Sequence, residues 1–208
     1  METVKKLING QTTVIRPKIL YYGTPVILLN TLNEDETTNI SPISSSWALG
    51  PFIFLGLSTL GKAYENIVRH RECVMNLPDS QLWEHVERLA PYTGKYPVPD
   101  MKKSMGFSFE KEKYSASGLT ECASHNVAPT RISECPLQLE AAVLHIRVPE
   151  YAPDLAIIET EVKKVHAHQH ILLDNAHIDP TKWSPLIYNF RHYFGLGREL
   201  GKSFRAET

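Results

Sequence analysis

The chain has 208 residues, enough for one domain with a sizeable core that needs no disulfide or metal to hold it. Its 22 basic and 23 acidic residues leave a net charge of -1, which argues against a broad basic face for nucleic acid or membrane but leaves room for one local anion site. Cys73, Cys122 and Cys135 are odd in number and lack close metal-ligand spacing, so they read as reduced thiols of a cytoplasmic protein. No apolar h-region follows Lys5 and Lys6, and no run of about eighteen apolar residues suggests a membrane span.

Residues 1–21 read as an N-terminal arm or short helix, and 22–208 as a single domain. PVILLNTL, from Pro25 to Leu32, is apolar and partly β-branched, and NEDE after it turns the chain so that Thr37–Ser41 can return as a hairpin partner. PFIFLGL, from Pro51 to Leu57, is apolar at nearly every position and reads as a strand buried on both faces. After Gly61 the period changes. Ala63, Ile67 and Val68 recur at helical spacing, with Glu65 four residues before Arg69 as an expected ion pair. ECVMNLP is a strand stopped by Pro78, and SQLWEHVERLA is a helix capped at Asp79 or Ser80. A loop rich in Pro, Gly and Lys covers 91–103. CPLQLEAAVLHIRVP and IIETEVKKVHAHQHILL read as two long strands, and the glycine-rich closing segment from Ser184 to Phe204 resists assignment as a helix. Strands predominate without βαβ alternation, so the expected fold is mainly β with flanking helices, an antiparallel barrel.

Two hydroxyl clusters flank the PFIFLGL strand. Ser58 and Thr59 sit between that strand and a helix whose first turn holds Lys62, where backbone N–H groups, hydroxyls and a cation could together hold an anion. Ser44, Ser45 and Ser46 precede Trp47 and suit the polar edge of a flat heterocycle, or equally a solvated loop. His166, His168 and His170 alternate along an expected strand and so share one face. Without an acidic or cysteine partner at clear spacing they read as a polar face rather than a metal site. GLGREL follows no strand of a βαβ unit, and no GxSxG elbow or triad spacing is present.

The order NISP, SSSW, a buried strand, KAYENI and CVMNLP resembles the flavin reductase-like family of FMN-binding split β-barrels. The stretch KYSASGLTECASHNVAPTRISECPLQLEA is similar to that family's GLT region, and YFGLGRELGKSF resembles the C-terminal segment of its flavoredoxin-like branch. The likeness runs from about Tyr22 to Phe204. It implies a six-stranded antiparallel split barrel, a homodimer, and FMN as cofactor. Pro42, Ser44, Ser45 and Ser46 would line the isoalloxazine and ribityl chain, and Ser58, Thr59, Lys62, Tyr64 and Asn66 would surround the phosphate and its approach. Tyr193 and the 91–103 loop, with the partner's N-terminal arm, would shape the substrate side. The chain departs from the family at Ala63-Tyr64, where many relatives have Asp-Thr, and lacks the arginine of the preceding loop, which implies one charged phosphate contact fewer. The implied activity is hydride transfer from NAD(P)H to flavin N5, with no protein catalytic residue and with a monooxygenase or redox protein as partner. The alternatives are a flavoredoxin-like electron carrier and a non-enzymatic ligand-binding barrel.

Overall fold

A computed structural model of the chain describes residues 12–204. Eleven residues of the expected N-terminal arm therefore lie outside the described residues, and 12–20 run without regular structure to Tyr21.

The first strands are β1 (Tyr22–Pro25), β2 (Ile27–Leu32) and β3 (Thr38–Ile43), followed by β4 (Ser46–Leu49) and β5 (Phe52–Ser58). Then come helix α1 (Lys62–His70), β6 (Glu72–Leu77) and α2 (Trp83–Leu89), the last preceded by a 3-10 turn at Ser80–Leu82. The hairpin of the long strands β11 (Leu137–Arg147) and β12 (Leu155–Ala167) completes the main sheet, after short segments β7 (Tyr92–Thr93), α3 (Asp100–Ser104), β8 (Ser108–Phe109), α4 (Lys113–Ser117), β9 (Glu121–Cys122) and β10 (Arg131–Ile132). The chain closes with the hairpin β13 (Ile187–Asn189) and β14 (His192–Phe194).

The main sheet has seven antiparallel strands in the order β3-β2-β6-β11-β12-β5-β4. Its two outermost strands, β3 and β4, are halves of one chain run broken at Ser44-Ser45, so the sheet contains six runs and is curled back on itself by that run. This is the expected split barrel; the expected second strand, Thr37–Ser41, continues to Ile43, and β4 follows it as a strand not expected from the sequence. The Gly56 amide donates to the Ser45 carbonyl at 2.7 Å and holds the break against β5. Any Cβ on Gly56 would come within 3.0 Å of the Ser45 Cβ, so glycine permits that approach.

Burial on β5 alternates, in contrast to the sequence expectation of a strand covered on both faces. Ile53, Leu55 and Leu57 enter the core, and Phe54 points outward to stack on Trp47 at 3.9 Å. The strand lies next to the edge strand β4 of an antiparallel sheet, and its outward positions Phe52 and Gly56 are exposed. Strand β2 is covered on both faces: Ile27 and Leu29 join the barrel core, and Leu28 joins a second cluster with Val86 and Leu89 of α2. Each such side chain contributes about 1.5–3 kcal/mol on burial.

Helix α1 buries Ala63, Asn66 and Ile67 against the barrel, and Val68 stays exposed. It ends where Arg71 adopts the left-handed conformation and returns its N–H to the Ile67 carbonyl. The expected Glu65–Arg69 pair is replaced. Arg69 reaches Glu34 in the β2–β3 turn, and Glu65 lies near Lys62 and Lys95. Asp79 caps the 3-10 turn before α2 by accepting from the Gln81 amide at 2.9 Å. The expected strand through 157–173 stops at Ala167, so of the three histidines His166 alone lies on it: His166 bonds Glu140, His168 bonds the Ser133 carbonyl, and His170 sits in a 3-10 turn with its ring 5.5 Å from that of His168. The closing segment forms a hairpin rather than a helix, turning at Phe190 and Arg191 with positive φ and pairing with β1.

Candidate functional site

A cavity of about 430 Å³ opens where the barrel run is broken. One wall is the Ser41–Ser45 stretch with Gly56, the next is the start of α1, and Val86 and Leu89 of α2 supply an apolar floor. Thr93, Gly94, Lys102 and Phe107 close one end, and Tyr21, Tyr188 and Tyr193 frame the other. The lining contains no carboxylate, histidine or thiol.

Residues 61–64 at the start of α1 line the cavity, and Gly61 caps the helix without any side-chain bond. The first-turn amides and the positive end of the helix dipole are thus available to an anion. Ser58 stands beside them, its oxygen accepting from the Leu60 amide at 3.3 Å, which leaves its hydroxyl proton to donate. The loop packs so closely that a Cβ on Gly94 would overlap the Asn39 amide and crowd Lys62.

The lysines at this end differ in what holds them. Lys62 donates to both oxygens of Glu34, at 3.0 and 2.7 Å, and its bond lowers the Glu34 carboxyl to about 2. Lys102 instead, among the described residues, bonds the Thr93 hydroxyl at 3.3 Å and lies over the Phe107 ring. Burial, aided by the nearby charge of Lys95, pulls its pKa below the ordinary value. Lys113 is buried behind Tyr92, 5.6 Å from the ring centroid, and burial pushes it down to about 8. Cations held this way are poised to gain from an anionic ligand.

Pro42, Ser44, Ser45, Ser58, Lys62, Tyr64 and Tyr193, all singled out from the sequence, line this cavity. Ser45 shares a 2.8 Å hydrogen bond with the Tyr21 hydroxyl. Tyr193 donates to Glu87 at 3.0 Å, and burial with that carboxylate holds the phenol protonated. Three others lie elsewhere. Ser46 faces a shallower concavity beside Trp47, and Thr59 turns its hydroxyl to the Pro153 carbonyl in the β11–β12 turn. Asn66 is buried under α1, where its amide donates to Thr31 at 3.1 Å and Asn33 at 2.9 Å. Asn66→Ala is accordingly expected to lower stability by about 1–3 kcal/mol, read by urea denaturation, because it leaves buried polar partners unpaired. Sequence reasoning missed Tyr21, Thr93 and Lys102. The 91–103 loop was flagged as shaping the site, but neither spacing nor period distinguishes Lys102 from its neighbours.

The described residues contain no group of three or more His, Cys, Asp or Glu able to hold a metal ion, and no helix long and apolar enough to cross a membrane. All three cysteines are free thiols. Burial pushes Cys73 up to about 12 and raises Cys135 as well.

No protein-family model matches the chain. It is 60% identical over 205 residues to the uncharacterized protein YdfE of Bacillus subtilis (strain 168), covering 99% of both chains. Among solved structures it is similar to the flavoredoxin of Desulfovibrio vulgaris (Miyazaki F), at TM-score 0.77 and 21% identity over 94% of this chain and 99% of that one. The flavoredoxin of Methanosarcina acetivorans gives 0.75 at 16% identity, covering 94% and 97%. Nitrilotriacetate monooxygenase component B of Bacillus cereus gives 0.70 at 14%, covering 93% and 100%. The chain thus belongs to the family of YdfE, and its fold is the split β-barrel of the flavoredoxins and flavin reductase-like proteins.

Proposed function

We propose that this protein binds FMN in the cavity and acts as an NAD(P)H-dependent flavin reductase. The observation that carries the reading is the polarity of the cavity. One end offers Lys102, Thr93, Ser58 and the open amides of α1, and the other offers small hydroxyl residues and tyrosines around an apolar floor. A flat heteroaromatic ring with a phosphorylated tail matches that division, and about 430 Å³ lies within the range of small-ligand sites.

In this reading the phosphate is held by Ser58, the α1 amides and Lys102, with Lys62 beside them. Pro42, Ser44 and Ser45 border the ring, with Tyr64 along the approach. FMN, when bound, supplies the electron-accepting ring that the lining lacks. The protein orients it, excludes water with Val86 and Leu89, and admits the nicotinamide past Tyr188 and Tyr193. No Rossmann fingerprint is needed, because the nicotinamide is a transient guest rather than a resident one. The names of the structural neighbours, two flavoredoxins and one monooxygenase component B, support the flavin-binding part of this reading.

A homodimer belongs to this proposal, since Trp47, Leu49 and Leu155 leave large apolar side chains exposed on the barrel's outer face. A monooxygenase or redox protein that consumes reduced flavin is the proposed downstream partner, and the cytoplasm, where NAD(P)H is plentiful, the proposed site of action. Mixing the purified protein with FMN and NADH or NADPH under anaerobic conditions should bleach the flavin absorbance. Rates no higher than those of free flavin with either nucleotide would end the reductase reading. FMN retained through purification together with such sluggish oxidation would mark an electron carrier.

A further inference from the structure

We propose that Glu34 limits the affinity of this cavity for phosphorylated flavin by occupying the Lys62 ammonium, so that FMN is exchanged as a substrate rather than retained. The inference rests on the FMN reading above.

An ammonium has three N–H donors. Around Lys62, both Glu34 oxygens lie at 3.0 and 2.7 Å and a Glu65 oxygen at 3.6 Å, so carboxylates already claim that capacity. Glu34 is not free to swing aside. Arg69, two helical turns along α1, grips its other side at 2.5 Å. The turn that carries it is pinned by Asp35, which accepts from the Thr37 amide and hydroxyl and pairs with Lys111. Arg69, Glu34, Lys62, Glu65 and Lys95 thereby form an alternating ladder along the edge of the cavity. Held low by Lys62, the Glu34 carboxyl keeps its charge at any ordinary pH. A phosphate approaching Lys62 must share it with two carboxylates that repel the newcomer, whereas Lys102 at the same end pairs, among the described residues, with a hydroxyl. Riboflavin has no phosphate and should not sense the competition.

The test is flavin titration of the full chain, with FMN and with riboflavin, followed by fluorescence and by stopped-flow release. Glu34→Gln should tighten FMN about fivefold or more, slow its release to match, and leave riboflavin within about twofold. The double variant Glu34→Gln/Lys62→Met, with neither charge, should return FMN close to wild type. Lys62→Met alone should bind FMN more weakly than the double variant, because it leaves the carboxylate facing the phosphate. If Glu34→Gln melts before it can be titrated, that second comparison decides the matter. Unchanged or weaker FMN binding in Glu34→Gln, equal tightening of riboflavin, or a double variant no better than Lys62→Met would each overturn the proposal. A wild-type chain that binds no flavin would overturn the FMN reading itself. Normal binding that Glu34→Gln does not alter would overturn the competition alone.

Discussion

Glu140→Ala is expected to cost about 3–5 kcal/mol, enough to unfold much of the population of a marginally stable domain. Glu140 is fully buried on β11 and accepts the backbone amides of His125 and Asn126, at 2.8 and 2.5 Å, and the His166 ring at 2.7 Å. Burial by itself raises such a carboxyl; the two amides, followed by His166, outweigh it and leave the pKa below the ordinary value. The His166 imidazole is lowered, because burial outweighs the pull of Glu140, so it donates to the carboxylate as a neutral ring. Removing the carboxylate leaves three part-buried donors without their acceptor and frees the segment between β9 and β10 that they anchor.

The sign of the pH dependence follows from both shifts. A carboxyl lowered in the fold gives its full stabilisation above the unfolded value of 4.5 and loses it as the pH falls through the folded one. An imidazole lowered in the fold costs stability as the pH falls below 6.5, where the unfolded chain takes up the proton first. Urea midpoints should therefore fall in the wild type below pH 6.5 through His166 and fall further below pH 4.5 through Glu140, and Glu140→Ala should lose the second fall. A midpoint at pH 7 equal to that of the wild type would show that the buried carboxylate is dispensable.

Lys102→Met is expected to weaken FMN by about tenfold or more while leaving riboflavin within about twofold, since a hydrogen bond to a charged group contributes about 1.5–3 kcal/mol. Lys102 is partly buried and lines the cavity, and it makes no ion pair among the described residues. The corresponding loss in Lys62→Met should be smaller, because Glu34 already neutralises that ammonium. Flavin fluorescence titration of the two variants, each with both flavins, provides the comparison. Equal losses of FMN and riboflavin in Lys102→Met would remove the phosphate contact from Lys102.

Much of this could be read along the chain. The β2–β3 hairpin, α1, β6 and the β11–β12 pair follow from local period and from punctuation by NEDE, Gly61 and Pro78, because patterns over five to ten residues decide such elements. Ser44, Ser45, Ser58 and Lys62, which line the cavity, could be grouped in the sequence for a related reason: they flank a single strand. Thr59 and Asn66 were not separable from them in sequence, since Thr59 is one residue from Ser58 and Asn66 one helical turn from Lys62, and spacing alone does not say which side chain turns away. Only the packed structure sends one to Pro153 and the other under α1.

Hydrophobic period and breakers, acting locally, were enough to determine the strand-rich class and the order of its elements. Closure of the sheet at Ser44-Ser45, the descent of the 91–110 segment over the cavity, and the capture of Lys62 by Glu34 were decided by the tertiary structure. The last two join residues twenty or more positions apart, as Gly94 meets Asn39 and Lys62 meets Glu34. A charge's partner depends on distance in space, and spacing along the chain carries no record of it.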